Sequence, residues 1–271
     1  MRPPAIAAAC AFLAVAGCRS GPADADRAAQ AAATAGATIR VAAASDLRFA
    51  MDELVASWEA ANPDRTVEPV YGSSGNAFAQ IAAGAPFDLY FSADAAYPRR
   101  LEDEGLAERG ATRLYGNGQI VVWVSAESAI DVEARGIAAL ADAAVQTVAI
   151  ANPEHAPYGR AAVAAMRSAG VYDAVAPKIV YGENVSQAAQ FVASGNADAG
   201  VIALALALAP TLAGKGRYAM VPSASYPPIE QGAVVLRAAR NPVAAEAFLD
   251  FTLGPQGRRI LDRYGYLRPA P

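Results

Sequence analysis

The order of apolar segments in the first part of the folded chain most constrains what this sequence can fold into. Short runs typical of buried strands alternate with stretches of helical spacing, and a turn of small residues precedes each helix. The strands are predicted at 38–44, 67–71 and 87–92, and the helices at 47–60 and from the turn after residue 71 through residue 81. Strands separated by helices predict a parallel sheet covered by helices, because a parallel connection requires a crossover.

The same alternation continues to the end of the chain. Further strands are predicted at 119–124, 146–151, 178–181, 199–203, 219–222 and 232–236, and further helices at 160–169, 185–193, 243–253 and 255–263. A chain of 271 residues is long enough for one large domain or two modest ones. Ligands of open α/β sheets bind at the carboxyl ends of strands against helix N-termini, so the strand-to-helix junctions are where a site is expected.

The composition fits a globular protein and excludes several classes of function. Hydrophobic residues make up 54% of the chain and charged residues 18%, which is enough apolar material for a core. The net charge is −4 and no basic run occurs, which argues against a nucleic-acid partner. One histidine and two cysteines are a poor inventory for a zinc or iron site, so no cofactor and no metal centre are predicted.

The N-terminal segment is predicted to be a targeting signal. Arg2 precedes an apolar run at 5–16, which is shorter than the roughly 20 residues that a membrane span needs. The sequence VAGC at 15–18 resembles a bacterial lipobox, in which cleavage leaves Cys18 as a lipidated N-terminus. The alternative is an ordinary signal peptide cut after a later alanine, with Cys18 incidental.

A flexible tether is predicted between this signal and the folded body. Residues 18–37 are rich in Ala, Gly and small polar residues and lack apolar periodicity. On the lipobox interpretation residues 1–17 leave with the signal peptide, Cys10 among them, and Cys18 is acylated. The folded body, which begins at Thr38, then has neither a free thiol nor a disulfide.

Four junctions combine a strand end, a turn of small residues and a helix start. They lie at 44–46, 72–75, 157–159 and 183–186. Helix starts present backbone N–H groups without internal acceptors, and their dipoles are positive there. The first two junctions add the hydroxyls of Ser45 and Ser74. Such donors suit a small desolvated oxyanion, but either serine alone is equally typical of a helix N-cap, so both interpretations stay open on the residues alone.

Six stretches resemble the periplasmic molybdate-binding proteins of ABC transporters, from Ile39 to the C-terminus. They are VAAASDLRFAMDEL, YGSSGNAFAQIAAGAPFDLYFSAD, LYGNGQIVVWV, IANPEHAPYGRAA, KIVYGENVSQAAQFVASGNADAGVIA and LGPQGRRILDRYGY. The resemblance implies a type II periplasmic binding protein with two α/β lobes, each a sheet flanked by helices, and the ligand in the cleft between them. Lobe one is then 38–115 plus 222–271, and lobe two is 116–221.

The resemblance also implies the function and partners. A protein of this kind captures molybdate, and we expect tungstate as well, delivers the anion to an ABC permease and performs no chemistry on it. We expect a monomer in the periplasm or at the cell surface, attached to the membrane only through the lipid on Cys18.

Carried over residue by residue, the resemblance implies a set of oxyanion ligands. Ser45 and Ser74 give hydroxyl and backbone N–H groups from lobe one, and Tyr158 and Val185 give backbone N–H groups from lobe two. Asp46 adds a backbone N–H. Because a carboxylate beside a dianion is unfavourable, we expect the Asp46 side chain to point away and to serve the helix dipole.

The sequence departs from the family at one position of interest. Some members have a tyrosine at the end of the strand that matches AGVIA, and this chain has Ala203 there. The hydroxyl of Tyr158, where other members have a small residue, is an alternative donor.

Three other functions compete with this interpretation. A serine hydrolase would use Ser74 as nucleophile and His155 as base, but Asn76 breaks the G-x-S-x-G pattern. A binding protein for sulfate, phosphate, thiosulfate or an organic anion is a closer alternative, and Asp46 is the candidate acceptor for a protonated phosphate. A ligand-sensing domain of a regulator shares the fold, but the predicted signal peptide argues against it.

Overall fold

The computed structural model describes Gly36 and residues 38–269. The strands are β1 Thr38–Ala44, β2 Thr66–Gly72, β3 Leu89–Ser92, β4 Arg113–Gly118, β5 Ile120–Ser125, β6 Val148–Ala151, β7 Ile179–Gly182, β8 Ala199–Ala203, β9 Gly216–Met220 and β10 Ile229–Val235. The α-helices are α1 Arg48–Ala61, α2 Ser74–Ala82, α3 Ala96–Asp103, α4 Val132–Arg135, α5 Pro157–Ser168, α6 Tyr172–Val175, α7 Val185–Ala193, α8 Leu204–Ala207, α9 Pro242–Leu253 and α10 Pro255–Arg263. Short 3-10 turns lie at Ser45–Leu47, Gly136–Ala141, Ala176–Lys178 and Ser223–Ser225.

The first sheet has the strand order β2-β1-β3-β10-β4. β1 pairs in parallel with β2 and β3, and β10 pairs antiparallel with β3 and β4. The first three strands therefore form the predicted parallel arrangement, and β10, which returns from the far end of the chain, adds an antiparallel strand that the prediction did not include. β1 is buried along its C-terminal half, as expected for a central strand covered on both faces.

The second sheet has the order β7-β6-β8-β5-β9. β6 pairs in parallel with β7 and β8, whereas β5 is antiparallel to β8 and β9. The chain leaves the first sheet at Gly118 and enters the second at Ile120, and it returns after Met220 to form β10. Two helix-flanked sheets confirm the predicted two-lobed α/β fold. The lobe boundaries at 115/116 and 221/222 stay a prediction.

The sequence does not predict two elements in the half of the protein that contains the first sheet, β4 and α3. β4 contains Gly116 and Gly118 and lacks apolar alternation, and it forms through its pairing with β10. At Gly116 a β-carbon would lie 3.2 Å from the Tyr266 β-carbon, so the C-terminal segment packs closely on this strand. α3 carries Pro98 in its first turn and is only 8 residues long, so its periodicity is too short to stand out.

The helices pack their apolar faces on the sheets and fix the strand ends. In α1, Met51, Leu54 and Trp58 are buried at helical spacing, and Trp58 makes an edge-on contact with Phe248 of α9 at 5.7 Å between ring centres. In the second half, Trp123 of β5 is buried. Among the described residues, none of the helices combines the length and apolar character that a membrane crossing requires.

The predicted signal peptide (1–17), the lipidated Cys18 and the tether (18–37) lie outside the described residues, except for Gly36.

Candidate functional site

The residues predicted to bind an oxyanion come together around one small cavity between the two sheets. Its lining includes Ser45 and Asp46 from the 3-10 turn after β1, Ser74 from α2, Tyr158 from α5 and Val185 from α7. All five are buried, with exposed fractions of 4%, 1%, 1%, 3% and 3%. The fold thus places residues from four strand-to-helix junctions at one point, and their role as ligands stays a prediction.

Within the described part of the chain, neither the Ser45 nor the Ser74 hydroxyl donates a hydrogen bond. The Ser74 Oγ accepts a hydrogen bond of 2.9 Å from the backbone N–H of Ala93, and the Ser45 Oγ accepts a longer one of 3.4 Å from the N–H of Ser186. A hydroxyl that is already accepting has its single O–H left for another partner. Each serine is therefore oriented by a backbone donor while its own proton is available in the cavity.

The capping interpretation of these two serines is wrong. The N-cap of α2 is Ser73, whose Oγ accepts from the N–H of Asn76 at 3.3 Å. Ser45 begins a 3-10 turn that has no side-chain cap, and α1 follows Leu47 without one. Adjacent serines in the Gly72–Gly75 loop fit the capping pattern equally well, so local sequence could not separate them.

Helix N-termini supply the backbone donors. Val185 is the first residue of α7 and Tyr158 the second residue of α5, and N–H groups at these positions have no acceptor within their helix. α5 follows Ala156, which offers no capping side chain. The positive ends of two helix dipoles therefore meet at the cavity, where they favour a negative charge.

The Asp46 side chain lies in a buried hydrogen-bonded cluster and does not cap the helix start, which corrects the expectation that it serves the helix dipole. Its Oδ2 accepts three hydrogen bonds: from the Tyr158 hydroxyl at 2.8 Å, the Tyr266 hydroxyl at 2.8 Å and the Gln231 side-chain amide at 2.9 Å. Its Oδ1 is buried and has no partner among the described residues. The Gln231 amide also donates to the Tyr158 hydroxyl at 2.9 Å, so the four side chains form one buried cluster.

Burial dominates the ionisation of this cluster. Loss of water raises the pKa of Asp46 above its ordinary value, and the hydrogen bonds from Gln231, Tyr266 and Tyr158 offset this only in part. Burial, followed by the nearby Asp46 carboxylate, also raises the pKa of Tyr158 and of Tyr266 well above the usual value. Both tyrosines therefore keep their protons and act as donors.

Contacts between the two halves hold the cavity closed. The Arg160 guanidinium of α5 pairs with the Asp94 carboxylate at 2.5 Å, and the Ser186 hydroxyl donates to the Ser45 carbonyl at 2.8 Å. The N–H of Gly75 donates to the carbonyl of His155 at 2.9 Å. A ligand in the cavity is thus enclosed by both halves.

The Ser74–His155 pair that a hydrolase would need does not form. The His155 Nδ1 lies 2.9 Å from the Oγ of Ser73, which already caps α2, while the Ser74 Oγ accepts from Ala93. In the part of the chain that the structure describes, no group of three or more His, Cys, Asp or Glu side chains is placed to hold a metal ion.

Sequence reasoning missed the residues that surround Asp46. Gln231 lies in β10 before the predicted start of that strand, and it is fully buried, which marks it as a polar group with a specific role. Tyr266 follows α10 in the RYGY segment, where only its hydroxyl's long-range contact reveals its role. Ala203, which stands where some family members have a tyrosine, is buried at the end of β8. The Tyr158 hydroxyl, the alternative donor, donates to the Asp46 carboxyl group.

Two α/β halves that enclose a donor-lined cavity define the class of two-lobed solute-binding proteins. Residues 39–267 match the family model of the bacterial extracellular solute-binding proteins, and the chain belongs to that family. Its relatives include the molybdate-binding protein ModA of Rhodobacter capsulatus, 39% identical over 74% of this chain and 77% of that protein.

The ModA protein of Azotobacter vinelandii is 34% identical over 87% of this chain and 92% of its own length. The solved structure of an Azotobacter vinelandii periplasmic molybdate-binding protein superposes with a TM-score of 0.80 and 32% identity, covering 86% of this chain and all of that one. These relatives confirm the resemblance drawn from the sequence motifs.

Proposed function

We propose that the protein captures molybdate, and tungstate with it, outside the cytoplasm and delivers the anion to an ABC permease. The observation that carries the proposal is the cavity between the two sheets, where Ser45, Ser74, Tyr158 and Val185 converge with free hydroxyl and N–H donors. The names of the relatives support molybdate as the anion.

The chemistry of the donors suits a fully ionised tetrahedral oxyanion. Such an anion only accepts hydrogen bonds, and the proposed ligands Ser45, Ser74, Tyr158 and Val185 offer donors. The protein binds the oxygens of the anion, and no side chain bonds to the metal atom. A net charge of −4 does not attract an anion, which supports attraction by local dipoles and hydrogen bonds rather than by the field of the whole protein.

The protein is proposed to release the anion unchanged. Membership of a solute-binding family supports a role in transport rather than catalysis.

A panel of oxyanions tests the proposal. Purified protein is heated alone and with molybdate, tungstate, sulfate or phosphate, and the unfolding midpoint Tm is recorded. A ligand at about a thousandfold excess over its Kd stabilises the folded state by about 4 kcal/mol, so molybdate and tungstate are expected to raise Tm by about 8–16 °C.

Sulfate is expected to raise Tm less than molybdate. A smaller anion leaves some donors at stretched distances, and each unmade hydrogen bond to a charged group costs about 1.5–3 kcal/mol. A larger shift with sulfate or phosphate than with molybdate contradicts molybdate as the ligand, and a shift with none of the four contradicts oxyanion binding.

The lipid anchor is a separate proposal that concerns the N-terminal segment. The VAGC sequence at 15–18 supports lipidation of Cys18, and the family supports a location outside the cytoplasm. In cells, Cys18→Ala is expected to move the protein from the membrane fraction to the soluble fraction. Wild-type protein that is already soluble after fractionation contradicts the anchor and leaves the binding proposal untouched.

A further inference from the structure

One carboxyl oxygen at the proposed binding site has no hydrogen-bond partner. Asp46 is 1% exposed and lines the same cavity as Ser45 and Ser74, yet its Oδ1 contacts no donor among the described residues. Its Oδ2 is already saturated by three donors. An ionised carboxylate with one bare oxygen, buried beside a dianion, is the least favourable state for this group.

The surroundings of Asp46 offer no positive charge to offset this. Tyr158 of α5, Gln231 of β10 and Tyr266 after α10 face it and donate hydrogen bonds to it. Tyr115 of β4 is also near, since burial and then the Asp46 charge raise its pKa. Burial raises the pKa of all three tyrosines, so they donate hydrogen bonds and do not supply protons. No arginine, lysine or histidine among the described residues forms an ion pair with Asp46 or lowers its pKa.

We propose that Asp46 binds the oxyanion as a neutral carboxylic acid, with the proton on Oδ1 donated to an oxygen of the anion, and that the protein takes this proton from solvent as the lobes close. This inference rests on the proposed function. It makes Asp46 a specificity-determining residue: the protonated acid is a donor and selects anions that only accept, such as molybdate. An ionised Asp46 would instead select an anion that carries its own proton, such as hydrogen phosphate.

Closure of the lobes links proton uptake by Asp46 to binding of the anion. Tyr158 belongs to the second half of the protein and Asp46 to the first, so opening the cleft removes one donor and admits water to the carboxyl group. In the open protein the carboxyl pKa moves back toward its ordinary value. Because the closed complex has the higher pKa and holds more protons, affinity falls as pH rises through the interval between the two pKa values.

The test measures molybdate binding and proton uptake together. Calorimetric titrations from about pH 6 to about pH 9, where the free anion is doubly charged, give Kd at each pH. Repeating them in Bis-Tris and Tris at one shared pH gives the number of protons taken up, because the buffers differ in ionisation enthalpy and neither is an oxyanion. The wild-type protein is expected to lose up to about tenfold in affinity per pH unit over part of this range and to take up as much as about one proton per anion.

Two variants sharpen the test. Asp46→Asn keeps the shape of the side chain and replaces the acid with an amide that donates without a titratable proton, so its affinity is expected to be independent of pH and its proton uptake zero. Asp103→Asn removes an exposed carboxylate and is expected to keep the wild-type pH profile. The wild-type proton count stands as a test by itself even where the Asp46→Asn variant folds poorly.

The outcomes separate the two proposals. Molybdate binding by the wild-type protein with no proton uptake and no change of Kd with pH overturns the role of Asp46 alone. Molybdate binding that strengthens as pH rises also overturns it, whereas tighter binding of phosphate than of molybdate, strengthening as pH rises, indicates an ionised Asp46 and contradicts both the role of Asp46 and molybdate as the ligand. No molybdate binding at any pH, in wild type and in Asp46→Asn alike, overturns the proposed function and this inference with it.

Discussion

Ser74→Asp is expected to abolish molybdate binding while the protein still folds. Ser74 lies at the first position of α2, where a carboxylate agrees with the helix dipole, and it lines the cavity. The new charge would face a dianion. Two unit charges 4 Å apart repel by about 4 kcal/mol at an effective dielectric constant of about 20, and a dianion doubles this, which exceeds what the remaining donors can offset.

Ser74→Ala separates the lost hydrogen bond from the added charge. Removal of one charge-assisted bond is expected to weaken binding by about tenfold to a hundredfold, at about 1.4 kcal/mol per decade. The N–H of Ala93 also loses its acceptor, so the ligand-free protein is expected to become less stable by about 1–3 kcal/mol. Both effects are read from calorimetric titration and from melting of the ligand-free variant.

A control variant distinguishes a local charge effect from a general one. Ser223→Asp adds the same charge at an exposed position and is expected to bind molybdate as the wild type does. Normal affinity in a folded Ser74→Asp variant contradicts the assignment of Ser74 to the site.

Gly75→Ala is expected to weaken binding by blocking closure of the lobes. A β-carbon at Gly75 would lie 2.8 Å from the carbonyl oxygen of His155 and 2.9 Å from the Tyr97 hydroxyl. The His155 oxygen is backbone of the second half and cannot move aside without moving that half. Overpacking of this kind costs about 1–3 kcal/mol, which corresponds to a loss of about fivefold to a hundredfold in affinity.

The same substitution is expected to leave the ligand-free protein as stable or more so. Gly75 is the second residue of α2, and alanine in a helix is favoured over glycine by about 0.5–1 kcal/mol. Small-angle scattering should show a smaller radius of gyration for the wild type with molybdate, and a radius that stays large for Gly75→Ala at the same concentration. A variant that closes and binds like the wild type contradicts the lobe-closure account.

The sequence predicts most of the architecture because the residues that start and end helices and strands are local signals. The sequence predicts the helix over 185–193 with its observed bounds, since Asn184 caps its start and Gly195 follows its end with a positive φ. β4 is not predicted, because two glycines interrupt it and it forms through its pairing with β10. The antiparallel direction of β10 is not predictable either, because its apolar pattern is the same whichever way the strand runs.

The site is predictable only where its residues belong to local helix starts, and not where it depends on contacts between distant parts of the chain. Helix starts that carry donors can be found one junction at a time, so the residues alone predict the four junctions, and the resemblance implies which of their residues are ligands: Ser45, Ser74, Tyr158 and Val185. The partners of Asp46 lie 112, 185 and 220 positions further along the chain. From its position at a helix start alone, the carboxylate is expected to serve the helix dipole. In the structure these three distant partners hold it in a buried cluster instead.

Diffraction on both sides of the molybdenum absorption edge, from crystals grown with molybdate, locates the bound anion. One strong anomalous peak is expected in the closed cavity, with the anion's oxygens at hydrogen-bond distance from the hydroxyls of Ser45 and Ser74 and the backbone N–H groups of Tyr158 and Val185. A peak elsewhere on the protein, or an empty cavity at saturating molybdate, contradicts it.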